Sequence, residues 1–152
     1  MKVIFLDFDG VLCTGRQAYA SGEIGVISGL DPVALGFLDR ICKDYNIKIV
    51  ISSTWRIGDS RRNFYEIFGC AGYVNLAKSL HDDWATKSLP DKDRGHEIEE
   101  WLSVNECDGY LILDDATDML DYQKPFFVNT DSMNGMLAEH YIESMKILGI
   151  DY

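Results

Sequence analysis

Short apolar runs alternate along the chain with longer amphipathic stretches. The runs at 3–6, 47–51 and 110–113 are too short for helices and rich in β-branched residues, which predicts buried strands. The stretches with apolar residues at helical spacing lie at 32–45, 60–69, 95–104 and 136–148. This alternation predicts an α/β fold with a doubly wound parallel sheet.

Four further segments have weaker patterns. Residues 126–128 indicate a fourth core strand, and residues 73–76 are interpreted as a short strand. Residues 13–29 contain four glycines and are expected to form a flap, a short hairpin, rather than a crossover helix. Residues 77–93 are polar and predicted to be irregular. No segment has the pattern of a separate large cap domain, so we expect a single domain over residues 1–152.

Polar side chains follow three of the predicted strands. Asp7 and Asp9 come directly after the first strand, residues 52–54 after the second, and the pair 114–115 after the third. The carboxyl ends of parallel strands meet at one rim of the sheet, where ligands bind in open α/β folds. Unpaired buried carboxylates are costly, and a hard cation such as Mg²⁺ would compensate them. The sequence therefore predicts a metal-dependent site at this rim.

Composition and charge narrow the class of protein. Hydrophobic residues make up 47% of the 152 positions and charged residues 26%, as in a globular domain. No apolar run approaches the roughly 20 residues of a membrane span, and the apolar start is too short for a signal peptide, so we expect a cytoplasmic protein. The net charge of −11 argues against an extensive nucleic-acid surface, although it allows a local basic pocket. The four cysteines are too widely spaced to predict a zinc site or a disulfide framework.

Over roughly its whole length, the chain resembles the haloacid dehalogenase (HAD) superfamily of aspartyl phosphotransferases. The family's four motifs are matched by Asp7-Phe8-Asp9-Gly10, by Ser52-Ser53-Thr54 after a strand, by Arg94 at the start of a helix, and by Asp114-Asp115. Three further segments resemble a small group of capless members linked with viral and RNA-repair proteins. They are Ser53-Thr54-Trp55-Arg56, the stretch from Arg94 to Leu102, and Phe127-Val128-x-Thr130-Asp131 with the later Gly135.

The resemblance implies a role for each matched residue. Asp7 would be the nucleophile that forms an aspartyl-phosphate, and Asp9 the general acid and base. Mg²⁺ would be held by Asp7, the Asp9 backbone carbonyl, Asp115 and Asp114. The phosphate would be bound by Ser53 or Ser52 with Thr54, and by Arg94.

Several of these assignments have alternatives. Lys87 or Lys92 could replace Arg94. Residues 52–54 could simply cap a helix, and Asp114-Asp115 could cap a helix around Met119. Trp55 and Arg56 could contact substrate, with Trp55 stacking on a base, or they could form a packing element with a salt-bridged arginine.

Together these features predict a Mg²⁺-dependent phosphomonoesterase with an open site. Such a site suits large substrates, such as phosphorylated nucleic-acid ends or phosphoproteins. Nucleotides and other small phosphates are also possible substrates if a partner subunit closes the pocket. The alternative is a non-enzymatic phospho-acceptor or metal-binding module read by a protein partner. Asp9 distinguishes the two, because a pure phospho-acceptor needs no general acid. A dehalogenase is disfavoured, since attack on a carbon–halogen bond would leave the metal-binding carboxylates unexplained.

Overall fold

The computed structural model describes residues 1–22 and 29–151. Its five strands are β1 Lys2–Leu6, β2 Ile47–Ile51, β3 Leu80–Ala85, β4 Tyr110–Asp114 and β5 Phe127–Asn129. They form one sheet in the order β3-β2-β1-β4-β5, and every pairing is parallel. Because β1 lies at the centre, the residues that follow it emerge in the middle of the carboxyl rim.

Helices flank this sheet on both faces. They are α1 Gly15–Ser21, α2 Pro32–Asp44, α3 Arg61–Cys70, α4 Val74–Lys78, α5 Arg94–Val104 and α6 Ala138–Ile147. Ile4 and Leu6 of β1 pack into the larger core, which α2, α3, α4 and α6 cover. Val3 and Phe5 point to the opposite face and pack against Trp101 of α5. The predicted α/β fold, a doubly wound parallel sheet without a large cap domain, is confirmed.

The helix starts follow from short-range chemistry in the sequence. The Asp31 carboxylate accepts the backbone N–H of Val33 at 2.9 Å, and Pro32 occupies the first position of α2. Ser60 caps α3 in the same way through the N–H of Asn63, at 3.2 Å. These caps stabilise backbone donors that a helix leaves unpaired at its first turn. They explain why the predicted starts of both helices agree with the structure.

Two expectations between α3 and α5 are wrong. Residues 73–76 were expected to form a strand, but Val74–Lys78 is the short helix α4. Residues 77–93 were expected to be irregular, yet they contain β3 at one edge of the sheet. The sequence of β3, Leu-His-Asp-Asp-Trp-Ala, lacks the apolar run of a central strand. An edge strand needs few apolar side chains, and charged ones protect it from pairing with other molecules.

The predicted flap at residues 13–29 differs from a hairpin in the part that the structure describes. Its two ends meet, since Cys13 and Leu30 form an antiparallel bridge. Between them the chain forms the helix α1, where Thr14 caps the first turn by accepting the N–H of Gln17 at 3.2 Å. The hairpin interpretation is therefore wrong for residues 15–21. Residues 23–28 of the predicted flap lie outside the described residues.

Within residues 1–22 and 29–151, no helix is both long enough and apolar enough to cross a membrane.

Candidate active site

The segment after β1 places its side chains on opposite sides. Asp7 continues the sheet by donating its backbone N–H to Leu113 O at 3.0 Å, and its side chain is buried beside the carboxyl rim. Phe8 points into the core, where its ring lies 5.9 Å from that of Phe68. Asp9 is exposed. Phe8 thus anchors the first motif in the core, between the buried carboxylate of Asp7 and the exposed carboxylate of Asp9.

Three carboxylates come together at the rim. Asp7, Asp114 and Asp115 each place one oxygen within 4.8 Å of the others. Asp114 is completely buried and Asp115 is half-buried. Burial, with the nearby charge of Asp7, raises the pKa of Asp114 to about 7. Such a cluster is electrostatically unfavourable by itself, and a divalent cation would relieve the repulsion.

Arg94 supplies the positive charge beside this cluster. Its Nη1 atom lies 3.7 Å from Asp7 Oδ1, and its Nε atom lies 3.7 Å from Asp114 Oδ2. Burial raises the pKa of Asp7, while the Arg94 charge and a hydrogen bond from the Ser53 hydroxyl act in the opposite direction. The structure therefore brings the residue of the third motif to the first and fourth motifs. Lys87 is exposed instead and pairs with Glu100 at 2.6 Å, and Lys92 is also exposed.

The backbone of Arg94 is held by a residue that the sequence alone did not assign. The Asp118 carboxylate accepts the N–H of Arg94 at 3.0 Å. Asp93 occupies the N-cap position of α5 but makes no capping hydrogen bond with its own side chain. Asp118 lies four residues after Asp114, and the spacing of acids in this loop was the only available signal. It substitutes for the local cap and fixes the start of α5.

The three polar residues after β2 have different surroundings. The Ser53 hydroxyl lies close enough to the Asp7 carboxyl to lower its pKa, and its oxygen accepts the N–H of Trp55 at 3.3 Å. Ser53 also begins the short 3-10 turn Thr54–Arg56, so the capping interpretation and the site interpretation both apply to it. Ser52 is fully buried, and its Oγ has no hydrogen-bond partner among the described residues. Thr54 is exposed.

Trp55 and Arg56, the predicted substrate contacts, point in different directions. The guanidinium of Arg56 is buried and donates to Thr86 O at 2.6 Å, to Ser52 O at 3.0 Å and to Ser53 O at 2.6 Å. Its Nη2 donates to Glu97 Oε2 at 2.7 Å. Arg56 is therefore the salt-bridged packing element of the two interpretations. Its donors face protein groups and not the surface of the site.

Trp55 remains half-buried at the rim. Its ring stacks on Phe8, with centroids 4.9 Å apart and an angle of 28° between the planes. Its indole N–H donates to Asp9 Oδ2 at 3.1 Å. Trp55 thus contacts both the buried anchor of the first motif and its exposed carboxylate.

Residues at the end of β5 and just after it support the loop of the first motif. The Thr130 hydroxyl donates to Gly10 O at 2.8 Å, and Asn129 Nδ2 donates to Asp115 O at 3.0 Å. Gly135 has a φ of +61°, and a Cβ there would lie 2.6 Å from Val11 O. These contacts explain why threonine and a later glycine belong to the narrower sequence pattern. Both lie against the first motif.

The alternative in which Asp114-Asp115 caps a helix around Met119 is wrong. Residues 116–120 are not helical, and Asp114 Oδ1 accepts the N–H of Ala116 at 2.9 Å in a turn. The other oxygen, Oδ2, is buried without a hydrogen-bond partner among the described residues. It is one of the atoms that face Arg94.

The donor set fits a hard divalent cation. Three carboxylates converge, and the buried Asp114 Oδ2 lacks a hydrogen-bond donor in the described part of the chain. Oxygen ligands of this kind suit Mg²⁺. The Asp9 carboxylate is not among the three, so only its backbone carbonyl remains as the predicted ligand from that residue. Arg94 Nη1, buried and without a hydrogen-bond partner within the described residues, is a donor suited to an anion.

One family comparison bears on this site. The family model described as "HAD domain in Swiss Army Knife RNA repair proteins" matches residues 3–141. The matched range contains every residue of the candidate active site described in this subsection. No match was found among curated proteins or among solved structures.

Proposed function

The chain belongs to the family of HAD domains found in Swiss Army Knife RNA repair proteins, and we propose that it is a Mg²⁺-dependent phosphomonoesterase. Membership in this family supports hydrolase chemistry in general. The observation that carries the finer proposal is the environment of Asp7. This buried carboxylate lies beside Asp114 and Asp115 on one side and beside Arg94 and Ser53 on another. A nucleophile that attacks a phosphate dianion needs such neutralising groups around it.

In the proposed reaction, Asp7 and Asp9 divide the chemistry. A carboxylate oxygen of Asp7 attacks phosphorus and the bond from phosphorus to the leaving oxygen breaks, while Asp9 donates a proton to that oxygen. Asp9, now a carboxylate, removes a proton from water as the water oxygen attacks the phosphorus of the aspartyl-phosphate. The bond from phosphorus to Asp7 breaks, which releases phosphate and restores both residues.

Asp7, Asp114, Asp115 and the Asp9 carbonyl would hold the Mg²⁺ ion. When bound, the ion neutralises negative charge on the transferring phosphoryl group. Arg94 acts on the same group from the side, since its Nη1 atom is 3.7 Å from Asp7 Oδ1. The Ser53 hydroxyl, which lies close enough to Asp7 to lower the pKa of that carboxyl, would donate to a phosphate oxygen. We prefer Ser53 to Ser52 for this role because of its proximity to Asp7.

Phosphorylated nucleic-acid ends are the proposed substrate class. The printed description of the family refers to RNA repair proteins, and the fold has no large cap domain above the rim. A terminal phosphate needs few basic contacts, which is compatible with a chain of net charge −11. Nucleotides and other small phosphates would also reach an open rim.

The first experiment measures phosphate release from para-nitrophenyl phosphate with Mg²⁺ and with EDTA. We expect release that depends on Mg²⁺ and falls by about 10³-fold or more in Asp7→Asn, as on removal of a catalytic nucleophile. Asp121→Asn is the matched control, because Asp121 is an exposed carboxylate that pairs only with Lys124 in the bonds described. Oligonucleotides with 3′- or 5′-phosphates would then test the substrate class.

A folded wild type that binds Mg²⁺ but releases no phosphate would contradict the proposal. Incubation with acetyl phosphate, followed by mass spectrometry, then tests the phospho-acceptor alternative. A stable adduct on Asp7 would favour a module that is read by a partner. Rapid loss of the adduct would instead indicate turnover, because hydrolysis of the adduct requires a base such as Asp9.

A further inference from the structure

A hydrogen bond links the half-buried indole of Trp55 to the exposed carboxylate of Asp9. Asp9 is exposed, so water could satisfy its carboxylate. The indole N–H of Trp55 nevertheless approaches Asp9 Oδ2 at 3.1 Å. This contact joins the turn after β2 to the loop after β1, two segments 46 residues apart in the chain.

The donor in this contact is held by a rigid aromatic cluster. Trp55 stacks on Phe8 at 4.9 Å, and Phe8 is itself packed against Phe64, with ring centroids 5.3 Å apart. Phe8 and Phe64 are completely buried. Ser53 also fixes the backbone of Trp55 by accepting its N–H at 3.3 Å. The indole therefore presents its N–H from a fixed position, unlike a donor on a long flexible side chain.

Such a donor selects which oxygen of Asp9 carries a proton. In a carboxylic acid the carbonyl oxygen is the stronger hydrogen-bond acceptor, so an N–H donor to one oxygen favours the form with the proton on the other oxygen. With Oδ2 engaged by Trp55, the acid form of Asp9 has its proton on Oδ1. The same bond restricts rotation of an exposed carboxyl group that would otherwise sample several orientations.

We propose that Trp55 is a positioning residue that orients the Asp9 carboxyl group so that Oδ1 delivers the proton to the leaving oxygen. This inference rests on the proposed function and adds a role for Trp55 other than stacking on a substrate base. Its consequence is specific to proton delivery. Loss of the indole N–H should matter most for esters whose leaving group is a weak acid, because these depend most on a general acid.

The test compares two esters of similar shape, para-nitrophenyl phosphate and para-methylphenyl phosphate, in wild type and Trp55→Phe. In Trp55→Phe, we expect kcat/KM for para-methylphenyl phosphate to fall about 10-fold. We expect kcat/KM for para-nitrophenyl phosphate to fall by less than about 3-fold, since nitrophenolate is a good leaving group that needs little protonation. Trp84→Phe is the matched control. Trp84 belongs to the same aromatic cluster through Phe64, at 5.3 Å, and it should leave the ratio of the two rates unchanged.

A double-mutant cycle separates proton delivery from general damage. In an Asp9→Asn background, Trp55→Phe should cause no further selective loss of kcat/KM for para-methylphenyl phosphate. Three outcomes would overturn the inference while the phosphatase proposal stands. They are an equal loss of kcat/KM on both esters, an effect confined to KM, and a selective loss that is just as large in the Asp9→Asn background. A wild type that hydrolyses neither ester would overturn both, and that outcome is distinct from the others.

A measurement that changes no tryptophan covers the case in which Trp55→Phe does not fold. The chain has three tryptophans, so a ¹⁵N–¹H spectrum should show three indole N–H signals. Asp9→Asn should shift the Trp55 signal and leave the other two in place, because Trp101 donates to Asp83 O and Trp84 lies in the cluster beyond Phe64. If none of the three signals moves, the contact does not exist in solution and the inference fails.

Discussion

At the scale of single residues, Gly10 and Asp115 constrain each other most directly. Gly10 has a φ of +77°, a region that L-residues rarely adopt. A Cβ at this position would lie only 2.2 Å from Asp115 Oδ2. The glycine of the first motif therefore allows a carboxylate of the fourth motif to approach the backbone. Its role in the site is steric, because a side chain at this position would occupy the space of the Asp115 carboxylate.

We predict that Gly10→Ala destabilises the fold by about 1–3 kcal/mol and weakens Mg²⁺ binding. The added methyl group must displace the Asp115 carboxylate. Gly36→Ala is the control, because Gly36 lies within α2 and a Cβ there has no atom within 4 Å. The control should raise stability by about 0.5–1 kcal/mol. Urea unfolding and calorimetric Mg²⁺ titration measure the two effects, and similar results for both variants would contradict this account.

Neighbouring residues can have opposite environments, as Trp55 and Arg56 do. Both belong to one turn and to one sequence pattern, so sequence reasoning treated them together. The turn sends Arg56 inward to Glu97 and leaves Trp55 half-buried beside Asp9. A single residue in a 3-10 turn changes direction by about 120°. Which of the two faced the site depended on that geometry.

At the scale of elements, the start of α5 depends on the loop after β4. Asp118 accepts the N–H of Arg94 and so supplies a cap from outside the helix. We predict that Asp118→Ala lowers stability by about 1 kcal/mol and raises KM for para-nitrophenyl phosphate, because Arg94 loses its fixed position. Asp93→Ala should change both quantities little, since the Asp93 side chain makes no capping bond. Thermal unfolding and steady-state kinetics test this pair.

The second connection between elements is the buried ion pair of Arg56 and Glu97. Arg56 holds the carbonyls of Ser52 and Ser53, and Glu97 lies on α5, one turn after Arg94. Glu97 Oε1 also accepts the N–H of Leu89, at 3.1 Å. The pair therefore joins the second motif, the segment after β3 and the helix of the third motif.

Breaking this pair should be costly. We predict that Arg56→Met lowers the free energy of unfolding by about 3–5 kcal/mol, because Glu97 remains buried without its partner. Arg62→Met removes an exposed partner of Glu66 and should cost less than about 1 kcal/mol. Chemical denaturation of both variants gives the comparison. Equal small losses would show that the pair contributes little to holding the two motifs together.

For the molecule as a whole, the negative net charge is unfavourable for the approach of the proposed nucleic-acid substrates. A chain of charge −11 repels a polyanion at long range, whereas under the proposed function the Arg94 guanidinium beside Asp7 would attract a single phosphate at the rim. Proteins that follow the nucleic-acid backbone with basic residues bind more weakly as salt increases. This chain should behave in the opposite way, because salt screens the repulsion.

We therefore predict that kcat/KM for a phosphorylated oligonucleotide rises roughly two- to five-fold between about 20 and 150 mM NaCl at constant Mg²⁺. The rate for para-nitrophenyl phosphate should change much less, since this substrate carries few charges. Parallel kinetics on the two substrates test the difference. A steep fall with salt for the oligonucleotide would indicate a basic track along the molecule and would contradict this prediction.

The fold class and the motifs that meet at the rim could be predicted from the sequence alone. Central strands are buried on both faces, so their apolar runs can be recognised without the structure. The strand ends then predict a common rim, where Asp7, Asp114 and Asp115 do meet. The starts of α2 and α3 could be predicted because the caps that fix them, Asp31 and Ser60, contact backbone groups within three residues.

The edge strand of the sheet and the partners of the site residues, in contrast, depend on tertiary contacts. The strand β3 and the helix α4 have weak local patterns, and their conformations depend on packing against β2 and α2. The contacts of Arg56 with Glu97, Asp118 with Arg94, and Trp55 with Asp9 join residues 24 to 46 positions apart. No local spacing encodes such pairs, because they arise from how the elements cross and turn.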